Sequence, residues 1–232
     1  MTDLHFATTL SLGFLLGARH ALDADHLAAV STIVARQRDL KTSGLIGACW
    51  GLGHTATLLA IGLAAIALGV RLPPSFARAC ETAVGLMLVL LGGSLAWTLW
   101  RDRWHVHAHA HDGAAHVHLH THRMETEHAH AHDGSPLVRP MVVGLVHGLA
   151  GSAALLLVVV ATVRTLWEGL AYILAFGLGS ILAMGGIGAL MSLPVLWSTG
   201  RGRHALAAVQ ALACLSSVAL GLATVAAQLL QP

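Results

Sequence analysis

Six runs of apolar residues, each long enough to cross a bilayer, decide what this chain can become: residues 6–35, 43–70, 78–100, 138–163, 167–193 and 204–230. A spanning helix needs about 20 such residues. In lipid every backbone N–H and C=O must be paired inside the structure, which leaves helices, because a closed barrel is built from short alternating strands instead. Composition agrees: 56% of the 232 residues are hydrophobic and 10% are charged, against roughly 25% charged in soluble domains. The expectation is an all-α integral membrane protein. The opening MTDLHF has no basic n-region and no small-residue cleavage site, so the first run reads as a retained span and not a signal peptide.

The net charge of +2 comes from scattered basic residues, which gives no footing for nucleic acid. Cys49, Cys80 and Cys214 form no CxxC, so neither a disulfide framework nor a thiolate metal site is expected. Orientation follows from Lys and Arg in the connections. Nine of them (from Arg36, Arg38 and Lys41 to Arg201 and Arg203) follow spans one, three and five, while Arg71, Arg78 and Arg164 lie on the other side. That bias places the first set in the cytoplasm of a bacterial-type inner membrane, with both termini outside.

The two halves of the chain repeat. His20-Ala21-Leu22 answers His147-Gly148-Leu149, Trp50-Gly51-Leu52-Gly53 answers Phe176-Gly177-Leu178-Gly179, and Glu81 with Gly92 answers Gln210 with Gly221. The offsets of 127, 126 and 129 need only small gaps. An odd number of spans per unit makes the second unit enter from the opposite side, so two inverted three-helix repeats are expected, with a site near the midplane where they meet. The division is residues 1–100, first unit; 101–137, a connecting loop; 138–232, second unit. That loop is expected to be cytoplasmic and holds 11 of the 17 histidines in a low-complexity His-Ala alternation. It has too few large apolar groups to bury a core, which predicts no regular structure without metal. Its imidazoles suit a collector of several divalent transition-metal ions.

Within the first run, RHALDADHLA (residues 19–28) sets two His and two Asp among apolar neighbours. Ionisable groups inside a span are costly, and they mark functional sites or paired networks. At 1.5 Å per residue from the cytoplasmic edges, His26, His54 and His147 all fall about 15 Å deep, with His20 at roughly 24 Å. Three spans thus bring histidines to one central layer. His20, Asp23 and His26 share one arc of a helix and Asp25 points away, so a straight helix cannot aim both Asp25 and His26 at one ion unless it is kinked or one of the two acts from behind the ligands. The candidate metal residues are His20, Asp23, Asp25, His26, His54 and His147. Imidazole and carboxylate ligands suit Ni, Co, Zn or Cu(II). Glu81 is a lesser candidate. Trp97, Trp100, Trp104, Trp167 and Trp197 read as interfacial anchors.

Arg19-His20-Ala21-Leu22-Asp23-Ala24-Asp25-His26 resembles the signature of the nickel/cobalt transporter family: His, four residues, then Asp-His, often within RHAxDADH. The Leu-Gly-His-Ser/Thr of the family's next helix is matched by Leu52-Gly53-His54-Thr55. The resemblance is clear over residues 11–60 and implies that His20, Asp25 and His26 recognise metal, with His54 contributing. Where relatives carry an acidic GFDTATE-like stretch, this chain reads Val146-His147-Gly148-Leu149-Ala150-Gly151-Ser152, without a carboxylate. Six spans instead of eight are similar to the short branch of membrane proteins associated with urease maturation.

The resulting expectation is a transporter of Ni2+ or Co2+ as substrate, with no prosthetic group and no enzymatic activity. Its partners would be the metal ion, the lipid bilayer and a metallochaperone visiting the His-rich loop. A second reading is a membrane metal-delivery or sensing subunit for metalloenzyme maturation that does not transport. A membrane oxidoreductase would need a cysteine pair on symmetry-related helices, and Cys80 and Cys214 do not align in the repeat.

Overall fold

The first apolar run is two helices, not one. In the computed structural model, which describes residues 2–68, 73–101, 106–111, 114–119, 137–149 and 165–230, α1 (Thr2–His20) stops at the opening motif and α2 (Ala24–Val34) restarts within it. Tight turns close the gap: the Leu22 and Asp23 amides donate to the carbonyls of Arg19 and His20, at 2.9 and 3.0 Å. Asp23 then stands at the N-cap of α2 in extended conformation, and its side chain makes no capping bond. Asp normally caps its own helix; here its carboxylate is taken by His20.

The remaining helices are α3 (Leu40–Leu68), α4 (Pro74–Arg101), α5 (Val138–Leu149), α6 (Leu166–Thr199) and α7 (Arg203–Leu230). Asp39 opens α3, accepting from the amide and hydroxyl of Thr42, both at 2.7 Å. Those bonds hold its carboxyl below the usual carboxylate range. Gly202, at φ +92, makes the turn between α6 and α7. Among the described residues, four helices contain stretches long and apolar enough to cross a bilayer: Leu40–Ala64, Pro74–Arg101, Trp167–Thr199 and His204–Leu230. The rest of the expected fourth span, beyond Leu149, lies outside the described residues. The chain is a helical, multi-pass membrane protein.

One departure from all-helix is in the loop. There β1 (Val106–His111) pairs antiparallel with β2 (Ala114–Leu119), His107 opposite His118 and His109 opposite His116. The low complexity predicts no regular structure, but a His-Ala alternation also has the period of a strand.

Packing is backbone against backbone. A Cβ on Gly17 would strike the carbonyl oxygen of Phe176, and one on Gly144 that of Trp50. Gly53 abuts the carbonyl of Met141, and Gly179 that of Phe14. Further along, Gly92 abuts Cys214 and Gly221 abuts Gly85. Each contact has a counterpart in which the two halves of the chain exchange roles. Small residues permit such approach, and between apolar helices in lipid it is close packing that holds them together. As a result α6 lies along α1 and α3, α4 along α7, and α2 is set among α4, α6 and α7; α5 rests on α3 through Gly144 and Gly148. Hydroxyls and one amide add cross-links to backbone carbonyls, including Thr57 to Leu145 at 2.9 Å, Ser217 to Leu88 at 2.8 Å and Gln210 to Ala35 at 3.1 Å.

Candidate metal centre

Four histidines from four helices meet where α1 breaks. His20 ends α1, His26 lies in the first turn of α2, His54 in the middle of α3, and His147 near the end of the described part of α5. His26 is the hub, with ring centroids of His20, His54 and His147 at 4.5, 5.1 and 4.2 Å. His54 lies 5.3 Å from His20 and 5.9 Å from His147. The rings of His26, His54 and His147, given one depth by the sequence reading, lie together, and His20, which that reading set deeper, joins them. His26, His54 and His147 are buried, and the edge of the cluster opens at His20 (18% exposed), Asp25 (34%) and Asp23 (55%).

The carboxylates fix which ring nitrogens carry protons. An ionised carboxylate only accepts, so each nitrogen facing one is the N–H. His20 Nδ1 donates to Asp23 at 2.7 Å. Asp25 accepts from His26 Nδ1 through one oxygen and from His147 Nε2 through the other, both at 2.9 Å. It also accepts from the backbone amide of His26 at 2.9 Å. The neutral rings consequently present lone pairs at His20 Nε2, His26 Nε2 and His147 Nδ1. All three atoms are buried without a hydrogen-bond partner, as are both ring nitrogens of His54. An unsatisfied buried polar atom costs about 1–3 kcal/mol, and five of them lie together in this cluster.

Two groups have the spacing to hold an ion: His20, His26 and His54, and Asp25, His26 and His147, with one ligand atom per residue and all within 4.8 Å of one another. Asp25 and His26 both lie in α2, beyond the break, and need not face one point. Asp25 stays behind His26 and grips its far nitrogen, as carboxylates do behind metal-ligating imidazoles. Asp23 does the same for His20.

Sequence reasoning passed over two neighbours. Trp50 is fully buried, with its ring 5.2 Å from both His26 and His147, and its indole N–H has no partner. Phe176 lies 5.6 Å from His20. Both had served only as markers of the repeat, yet Trp50 stands one helical turn before His54, on the same face. Glu81 takes no part in either group; its carboxylate accepts from Gln228. Trp97, Trp100, Trp167 and Trp197 are exposed, as membrane anchors would be, and Trp104 lies outside the described residues.

Membrane-length helices together with a cluster of buried histidine rings define the class: a multi-pass helical membrane protein with a buried histidine cluster. The chain belongs to the NicO family, described as high-affinity nickel-transport proteins, which it matches over residues 6–231. This is a family of permeases, not enzymes. The chain is 37% identical over 219 residues to the urease accessory protein UreH of Bacillus sp. (strain TB-90), covering 94% of this chain and 91% of that one. It is 26% identical over 181 and 190 residues to the chloroplast proteins FOR GROWTH AND FERTILITY 2 and 1 of Arabidopsis thaliana. Those matches take in 77% of this chain and 45% and 48% of the plant proteins. No solved structure matches it.

Proposed function

We propose that the chain is a permease for Ni(II) or Co(II), holding the ion on His20, His26 and His54 while Asp23 and Asp25 orient the rings. The observation that carries this reading is the convergence of unpartnered, buried nitrogens from three helices on one point. Neutral imidazoles suit borderline divalent ions. Three protein ligands leave coordination positions for water, so the ion binds and can also leave. Family membership points to nickel.

The site lies between two inverted three-helix repeats making six spans, the first with α1 and α2 as one broken span. The exchanged glycine contacts support this arrangement, which is common among secondary transporters. The His-rich loop collects metal on the cytoplasmic side, where a metallochaperone would load or unload it, and both termini face outward. The test is nickel flux into proteoliposomes. His20→Ala, His26→Ala and His54→Ala should each abolish flux while inserting normally, and normal transport by all three would end the proposal.

One observation favours a second reading, delivery of metal without transport: the likeness to a protein described as a urease accessory factor. Removing residues 105–132 separates the two. A permease keeps flux without its collector, whereas a delivery subunit loses its working part.

A further inference from the structure

We infer that the cluster contains a second metal station, formed by Asp25, His26 and His147, and that His26 hands the ion from one station to the other. The inference rests on the reading that His20, His26 and His54 hold the ion first.

His26 belongs to both groups whose spacing admits an ion. A neutral imidazole has one N–H and one lone pair, so it serves one station at a time. With the proton on Nδ1, bonded to Asp25, the lone pair is on Nε2 and belongs to the first station. For the ion to enter between Asp25, His26 and His147, the proton on His26 moves from Nδ1 to Nε2. The proton on His147 moves from Nε2 to Nδ1. Two ligand nitrogens are freed: Asp25 or water takes a proton from one nitrogen of each ring as water returns one to the other nitrogen, and the protein neither gains nor loses a proton. The His26 Nε2–H then points into the first station, toward His20 and His54. That station cannot refill until the ion has left the second.

Three features of the cluster fit this use. His147 Nδ1, which would receive the relocated proton, is buried and unpartnered. Trp50 packs against His26 and His147 alike, and the two stations reach the edge of the cluster at different residues, the first at His20 and the second at Asp25. Asp25 supplies a carboxylate that the first station lacks, so the ion moves from three nitrogens to two nitrogens and an anionic oxygen. Conduction through overlapping sites, each too weak to trap the ion alone, is how pores and carriers combine binding with release.

The full-length protein crystallised with NiCl2 provides the test, with anomalous difference maps at the nickel edge locating the ion independently of metal bound to the loop. In the wild type the peak should lie within the cluster. In His20→Ala, or His20→Gln if the alanine variant does not fold, it should move to Asp25, His26 and His147. His147→Gln keeps an N–H for Asp25 but removes the imidazole ligand. It should hold nickel only on the first station, and maximal flux should fall at least about tenfold with KM within about twofold. Wild-type flux in His147→Gln, or loss of every peak in both His20 variants while the wild-type peak stays on the His20, His26 and His54 nitrogens, overturns the second station and leaves the first standing. A wild-type map with no nickel in the cluster overturns both.

Discussion

At the scale of single residues, the carboxylates do more by hydrogen bonding than by charge alone. Asp23 is more than half exposed, yet its oxygen sits 2.7 Å from His20 and sets which nitrogen that ring presents. Removing such an outer partner typically costs ten- to hundredfold in metal affinity. Asp23→Ala should therefore raise KM for nickel flux by about that factor while the protein still inserts; an unchanged KM would show that His20 needs no orienting. The six candidate residues were legible from sequence because each is an ionisable group in an apolar run. Their roles were not. Spacing shows that Asp25 lies off the arc of His20 and His26, but not that its carboxylate bonds the ring nitrogen of His26 and reaches His147 as well. His147 was found through the repeat, by its correspondence with His20.

Among the elements, the decisive one is the gap at Ala21–Asp23. It was hidden because Ala21, Leu22 and Asp23 include neither Gly nor Pro, the usual breakers, and because the apolar run continues through it. The turn is closed by the Leu22 and Asp23 amides, and the Asp23 side chain and the His20 ring bond across it. The helix crossings, by contrast, were signalled by glycines whose partners could not be read without coordinates. Gly17 and Gly144 meet Phe176 and Trp50, which correspond under the same repeat. Gly17→Val and Gly144→Val should each destabilise the protein by about 1–3 kcal/mol, as overpacking does, visible as lower thermal midpoints in detergent. If either variant melts like the wild type, that crossing is looser than described.

For the whole molecule, the paired contacts have a consequence for how the chain is made. The first helix of the amino-terminal half, α1, seats on α6 of the other half, and α5 seats on α3 of the first. Among the described residues, each half supplies a surface on which the leading helix of the other rests. A chain emerging from the ribosome must therefore hold α1 without its final neighbour until α6 has been inserted, since domains assemble in the order of synthesis. Residues 1–100 produced alone should be an orphan, cleared by membrane proteases. Co-expressed with residues 138–232, the two fragments should protect each other and co-purify, which pulse-chase labelling would measure. If the first fragment persists as long without its mate as with it, the halves mature separately. Otherwise the histidine cluster comes into being only when synthesis is nearly finished, and a truncated product cannot leave a partly built metal leak in the membrane.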